Sequence, residues 1–205
     1  MEIIKTVATR KDSSWQEIAK ALRAGSIKEI IGVGDRLTVS HKEFGPLEFD
    51  VLDFDRDTPA GMAPCPTVTL QLHDLILPNL LLNNNNRNSW EESSIRAWLG
   101  SRVFIDGFDP EFTSLITPVS KITNLDSEKE EHTEDSFFLL SLEEIDKESC
   151  YAYYSDRRGL VKFNSAGCTS WWWLRSAWCV SSSGYAEYSH YGYTAVRCAP
   201  ACVIC

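Results

Sequence analysis

Four of the eight residues from Trp171 to Trp178 are tryptophan, and that much indole confines the chain to folds whose core is wide enough to bury it. In an extended backbone Trp171 and Trp173 share one face, and Trp172 joins Leu174 on the other. The run reads as a strand packed on both sides. Trp98, Trp171 and Trp173 should be largely buried and Trp172 at least partly so, because an indole left in water forfeits roughly 2 kcal/mol of transfer energy. Arg175, directly after the run, is a candidate for a structural ion pair. A chain of 205 residues that is 43% hydrophobic can supply the core this strand demands.

Upstream, Ser14-Trp15-Gln16-Glu17 opens a helix with a capping residue, and Trp15, Ile18, Ala19 and Leu22 fall at helical spacing before Gly25 stops it. Gly32 and Gly34 precede alternating Leu37 and Val39, which is a tight turn into a strand; neither dinucleotide nor Walker spacing is present. LEFDVLDFD, with Leu47, Phe49, Val51 and Asp53 on one face, and TVTLQL continue the strand pattern. These segments predict an antiparallel sheet. From Ser89, SWEESSIRAWLGS reads as a capped helix carrying Ile95, Trp98 and Leu99 on one face, with Arg96 elsewhere and free to meet an acid. DPEFTSLITPVSKI follows as a helical or loop element that Pro118 breaks. The acid-rich stretch from Asn124 to Asp135 reads as a solvated loop, since it lacks the oxygen spacing and central glycine of a helix-loop-helix calcium site. FFLLSL then reads as a buried strand, and Glu143-Glu144-Ile145 begins a short helix or turn.

Charge and cysteine content narrow the function classes. Twenty-nine acidic residues against twenty basic give a formal charge of −9, which repels phosphate backbones and argues against a nucleic-acid partner. No run of about 18 apolar residues occurs, and the N-terminus lacks the apolar stretch of a signal peptide, so a soluble chain made in the cytoplasm, without membrane insertion, is expected. The cysteines are Cys65, Cys150, Cys168, Cys179, Cys198, Cys202 and Cys205, an odd number and a poor disulfide framework. Cys198, Cys202 and Cys205 have a spacing that could share zinc, but no second ligand pair accompanies them. The reading takes them as buried or terminal free thiols and expects no catalytic metal site and no cofactor.

The segment from Ser181 to Thr194, SSSGYAEYSHYGYT, sets tyrosines among serines and glycines without helical or strict alternating spacing of apolar groups. Tyrosine offers broad amphipathic contact at low entropic cost, while serine and glycine offer adaptable hydrogen bonding, the combination antibody loops use. The segment reads as a binding face. A plain β-hairpin with tyrosines at ordinary cross-strand positions is the alternative. His190 has only Glu187 as a nearby acid, which does not make a catalytic pair.

The order of SWQEIAKALRAGSIKEIIGVGDRLTV, SWEESSIRAWL, FFLLSLEEI, WWWLRSA and a closing VR-x-x-PA resembles an uncharacterised domain family common in bacteria and their prophages. Members of that family resemble the C-type-lectin-like fold in the branch shared with formylglycine-generating enzymes. Some are diversified target proteins of diversity-generating retroelements. The resemblance implies an α+β, C-type-lectin-like domain over 1–205, with mixed antiparallel strands and about two helices. The tryptophan strand and the helix bearing Arg96 and Trp98 would be scaffold. A variable segment of about 177–195 would point outward as the ligand-binding face, carrying Ala177, Trp178, Cys179, Ser181, Ser183, Tyr185, Glu187, Tyr188, Ser189, His190, Tyr191 and Tyr193. Ser, Tyr, Ala, His, Gly, Cys and Thr all arise from an asparagine codon by changing its adenines, and residues 177–195 largely belong to that set. Family members usually close with Gly-Val-Arg-Pro-Ala, whereas Ala195-Val196-Arg197-Cys198-Ala199-Pro200-Ala201 implies a shifted or bulged final strand.

The leading expectation is thus a receptor-binding or adhesin-like protein without catalysis, whose partner is a protein or carbohydrate on a host surface and which is a candidate virion component or homo-oligomer. Two alternatives stand beside it. One is an oxidase of the formylglycine-generating type using Cys179 and Cys198 with copper or calcium; the other is a structural subunit that buries the tyrosine segment between copies.

Overall fold

The computed structural model describes residues 14–61, 63–76, 89–124, 130–146, 148–157, 159–176, 178–188 and 196–205. Helix α1 (Trp15–Ala24) forms where local signals agree: Ser14 and Glu17 make a reciprocal capping box, and Gly25 ends the helix at φ 68°, a left-handed conformation that costs glycine nothing. Ile18, Ala21 and Leu22 face the core. After the short α2 (Ile27–Ile30), β1 (Arg36–His41) and β2 (Gly45–Phe54) form a hairpin, and β3 (Val68–Leu72) pairs with β2. Three short helices follow: α3 (Ser94–Leu99), α4 (Arg102–Ile105) and α5 (Pro110–Thr113). Then come β4 (Val119–Asn124), β5 (Glu130–Asp135), β6 (Phe137–Phe138) and α6 (Leu142–Asp146). A 3-10 turn at Ala152–Tyr154 leads into β7 (Lys162–Phe163), β8 (Thr169–Ser170), β9 (Trp172–Trp173), β10 (Trp178–Val180), β11 (Ala186–Tyr188) and β12 (Ala201–Ile204).

The architecture is α+β. The main sheet has the order β1-β2-β3-β12-β6, with β12 antiparallel to both neighbours. β3 and β12 are buried at every residue, as expected of strands with a partner on each edge and packing on each face. A second sheet runs β11-β10-β9, and two-stranded ladders join β4 to β5 and β7 to β8. Phe49, Phe104, Phe108, Phe112 and Phe137 form the aromatic centre, with Phe108 stacked on Phe137 at 5.2 Å between centroids.

Several expectations need correction. Six α-helices, not about two, lie among the described residues, five of them six residues or shorter. The helix expected from Ser89 starts later, capped by Ser93, whose hydroxyl accepts from Arg96 N. Ser89 instead holds a preceding turn by accepting from Glu92 N at 3.1 Å, and Trp90 is fully buried. The breakable element around Pro118 resolves into α5 and then β4, a strand the sequence reading missed. The acid-rich stretch is no solvated loop where it is described. Residues 130–135 are a strand with Glu131, Thr133 and Asp135 turned inward, and residues 125–129 lie outside the described residues. Those buried acids have partners that explain them: Asp135 accepts from Arg96 Nε at 2.6 Å and from the Trp90 indole at 3.0 Å, and Glu131 accepts from Trp90 N and Glu91 N. In β2 the single apolar face gives way to burial of Phe49, Asp50, Val51 and Leu52 together, with a register shift between Val51 and Asp53. Of FFLLSL only Phe137–Phe138 pairs as a strand, although Leu139 and Leu140 are equally buried.

Candidate binding surface

Trp172 and Trp173 are fully buried and anchor the second sheet, Trp172 donating its indole N–H to Leu160 O at 3.0 Å. Trp98 is half-buried, and Trp171 departs from expectation by standing 40% exposed. The reason is where the chain enters the core. β7 and β8 pair Phe163 with Thr169 and Lys162 with Ser170, and one further step of that register sets Val161 opposite Trp171. Alternation then sends Lys162 and Trp172 inward and Val161, Phe163 and Trp171 outward.

The predicted binding segment supplies the neighbouring ridge. β10 and β11 are a hairpin, Trp178 facing Tyr188 in register, closed by a turn in which Ser181 N donates to Tyr185 O at 2.8 Å and Gly184 N to Ser181 O at 2.9 Å. Gly184 sits at φ 81° with its Cα packed on the 160–161 segment; a Cβ there would meet Val161 Cγ2 at 3.1 Å. The turn therefore rests on the outward face of the β7–β8 ladder. Of the expected site residues, Tyr185, Ser183 and Glu187 are exposed, Tyr185 at 66%. Cys179 and Ser181 are buried and Trp178 half-buried, so these three belong to the scaffold rather than the face. Their inward position follows from the hairpin's pairing: Cys179 lies opposite Trp173 in the ladder, and Ser181 spends its hydroxyl on Tyr185 N. Ala177, Ser189, His190, Tyr191, Tyr193 and the Tyr188 side chain lie outside the described residues.

Four of the seven large hydrophobic side chains exposed among the described residues, Val161, Phe163, Trp171 and Tyr185, thus fall on this ladder and hairpin. A concentration of this kind marks an interaction site more often than scattered apolar residues do. Sequence reasoning missed Val161, Phe163 and Trp171. The alternation VKF around a buried lysine was the signal that could have found the first two.

Two networks of charge are built around buried cations. Arg175 joins Glu144 at 2.5 and 2.9 Å, and Lys121 reaches Glu144 at 3.0 Å and also Asp57 and the Tyr151 hydroxyl. Burial would raise the Glu144 carboxyl, but the charges of Arg175 and Lys121 outweigh it and hold the group down to about 2. Lys162 donates to Leu72 O at 2.7 Å and His73 O at 3.1 Å, and burial draws its ammonium down to about 8. In the same region Asp50 accepts from Arg36 Nε at 2.8 Å and lies 2.7 Å from His73 Nδ1. Burial raises its carboxyl, and the hydrogen bond with His73, the Lys162 charge and the hydrogen bond from Arg36 together bring it below the usual value.

The thiols resolve differently from expectation. Cys205 is not a terminal free thiol but is bonded to Cys65. Cys198 and Cys202 are fully buried, and burial pushes both thiols up, away from the reactive thiolate. Among the described residues no group of three or more His, Cys, Asp or Glu side chains is placed to hold a metal ion. No helix among them is long and apolar enough to cross a membrane.

The profile of a family described as a domain of unknown function, DUF6273, matches residues 68–204. No curated protein and no solved structure matches the chain. The match opens on the first residue of β3 and closes on the last of β12, taking in the ladder, the hairpin and the fully buried Trp90, Trp172 and Trp173, and the chain belongs to the DUF6273 family.

Proposed function

We infer that the protein is a binding protein of C-type-lectin-like architecture, receptor-binding or adhesin-like, whose Tyr/Ser-rich segment is the diversified surface of a retroelement target protein. The observation that carries this reading is the joining of an exposed aromatic ladder to a hairpin tip of serine, glycine and tyrosine. Aromatic anchors ringed by small polar groups suit recognition, since a few large side chains supply most interface energy. The division of labour supports it further: Trp172, Trp173 and Cys179 hold the hairpin from below, so tip residues can change without loss of the core. No chemistry on the ligand is required.

The test separates surface from scaffold. Tyr185→Ser with Trp171→Ser should lower the melting temperature by no more than a few degrees, whereas Trp173→Ala should cost about 3–5 kcal/mol. Binding to bacterial cells, measured with labelled protein, should fall at least tenfold in the double variant. A double variant that unfolds makes the face part of the core, and one that stays folded and binds undiminished moves the ligand site elsewhere. Diversification has its own test in the neighbouring DNA: a near-repeat of codons 177–195 carrying extra adenines beside a reverse-transcriptase gene. Absence of both removes the retroelement part of the reading and leaves the binding face standing.

A further inference from the structure

The aromatic ladder adjoins a concavity. A cleft of about 530 Å³ opens between the β1–β2 end of the main sheet, the segment after β3, and Ser165 and Arg197. Phe44, Leu47, Leu72, Leu75 and Ile76 make its walls largely apolar, the usual composition of a site that encloses an apolar group. Hydrogen bonds join these walls to the ladder. Leu75 N donates to Phe163 O at 2.7 Å, Arg197 donates to Ser170 Oγ at 3.0 Å and pairs in parallel with Trp172, and Ser165 belongs to the turn between β7 and β8.

Charge does not select what enters. Glu48, Asp74 and Arg197 all line the cleft. Glu48 lies 3.5 Å from Arg36, Asp74 lies 3.9 Å from His73 Nε2 and acts on the Lys162 charge, and Arg197 is held by the Ser170 hydroxyl. Both signs stand at the rim, so a ligand of either charge meets attraction and repulsion together. A sugar ring would press hydroxyls against Phe44, Leu47 and Leu75, and a hydroxyl desolvated without a partner is costly. An apolar side chain meets neither penalty. Val161, Phe163, Trp171 and Tyr185 stand exposed on the adjoining ladder and hairpin; a small molecule seated in the cleft leaves them in water, and a protein surface covers them.

Resting on the reading of the ladder as a binding face, we propose that its ligand is a protein, one of whose aromatic or branched aliphatic side chains inserts into this cleft while the surrounding surface lies over Phe163, Trp171 and Tyr185. The cleft is the anchor pocket, and the ladder is the flat part of the same interface. A large side chain buried in such a pocket supplies much of the energy of an interface, so the cleft fixes where the partner sits on the ladder.

The experiment has two arms. In the first, chemical-shift perturbation at neutral pH follows N-acetylphenylalanine amide, N-acetylleucine amide, N-acetylglycine amide and methyl glucoside. The first two should bind at about millimolar affinity and shift Leu47, Leu75 and Ile76, and the last two should shift nothing at about ten millimolar. Thr38→Trp and Pro46→Trp, at exposed rim positions on the side away from the ladder, should each abolish the shifts with the melting temperature held within a few degrees. Trp171→Ser should leave them in place. In the second arm, labelled native protein is bound to bacterial cells. Binding should be lost when the cells are treated with protease and should fall at least tenfold in Pro46→Trp. Binding that resists protease and is lost on periodate oxidation makes the ligand a glycan and overturns the proposal, as does the absence of shifts with both apolar probes. Cell binding that survives both rim variants but not Tyr185→Ser with Trp171→Ser overturns the anchor pocket and leaves the ladder as the binding face. Native protein that binds no cells removes the binding-face reading itself, and the protein partner with it.

Discussion

Glu144 holds two buried cations at once, Arg175 and Lys121, while its own side chain stays 17% exposed. Its carboxyl titrates at about 2 in the fold against an ordinary value of 4.5. The folded value is the lower, so the unfolded chain takes up the proton first on acidification. Stability from this group is fully present above pH 4.5 and drains away as the pH falls toward 2. Glu144→Gln should cost about 3 kcal/mol at neutral pH, because buried Arg175 loses its acidic partner while Lys121 keeps Asp57. Urea titrations from pH 6 to 2.5 should show the variant's stability falling less steeply than the native protein's; parallel curves would remove Glu144 from acid sensitivity. At this scale the sequence was partly legible. Arg175 and Arg96 stood out as cations beside apolar runs, and both are paired. Their partners, Glu144 and Asp135, lie 31 and 39 residues away, and no local pattern announces a contact across such a distance.

Among the elements, the β10–β11 hairpin depends most on one residue. Gly184→Ala would impose a Cβ at φ 81° and 3.1 Å from Val161 Cγ2. A left-handed non-glycine residue costs roughly 1–2 kcal/mol, equivalent in a chain of this size to a fall of about 2–8 °C in melting temperature. Ser183→Ala, at the exposed tip, should stay within about 0.5 kcal/mol. Thermal unfolding by circular dichroism checks both, and equal shifts would mean the turn is not braced on the ladder. Helix α1 was legible because cap, apolar stripe and stop lie within a dozen residues of one another. β5 was not. Its composition is that of a solvated loop, and only the inward partners supplied by Trp90, Glu91 and Arg96 make a strand of it. The helix start slipped from Ser89 to Ser93 for the same reason, since Glu131 captures the amides of Trp90 and Glu91.

For the whole molecule, the Cys65–Cys205 bond joins residues 140 apart and ties the segment before β3 to the end of β12. Closing a loop of that length removes about 5 kcal/mol of unfolded-state freedom in the chain-entropy picture. Five thiols, those of Cys150, Cys168, Cys179, Cys198 and Cys202, should react in denaturant without reductant, and seven after reduction. Reduction should also move the denaturation midpoint down; seven reactive thiols before reduction would remove the bond. An odd cysteine count hid this pairing, because spacing along the chain says nothing of which sulfurs the sheet brings together. The α+β class was legible from the two kinds of periodicity, but the order of the strands was not. That order has a consequence for biosynthesis. β12 is the last of the described strands, yet it fills the place between β3 and β6. At roughly 5–20 residues per second, the ribosome needs on the order of 3–13 seconds to extend the chain from Phe138 to Ala201. Throughout that interval the facing edges of β3 and β6 wait without the strand that joins them.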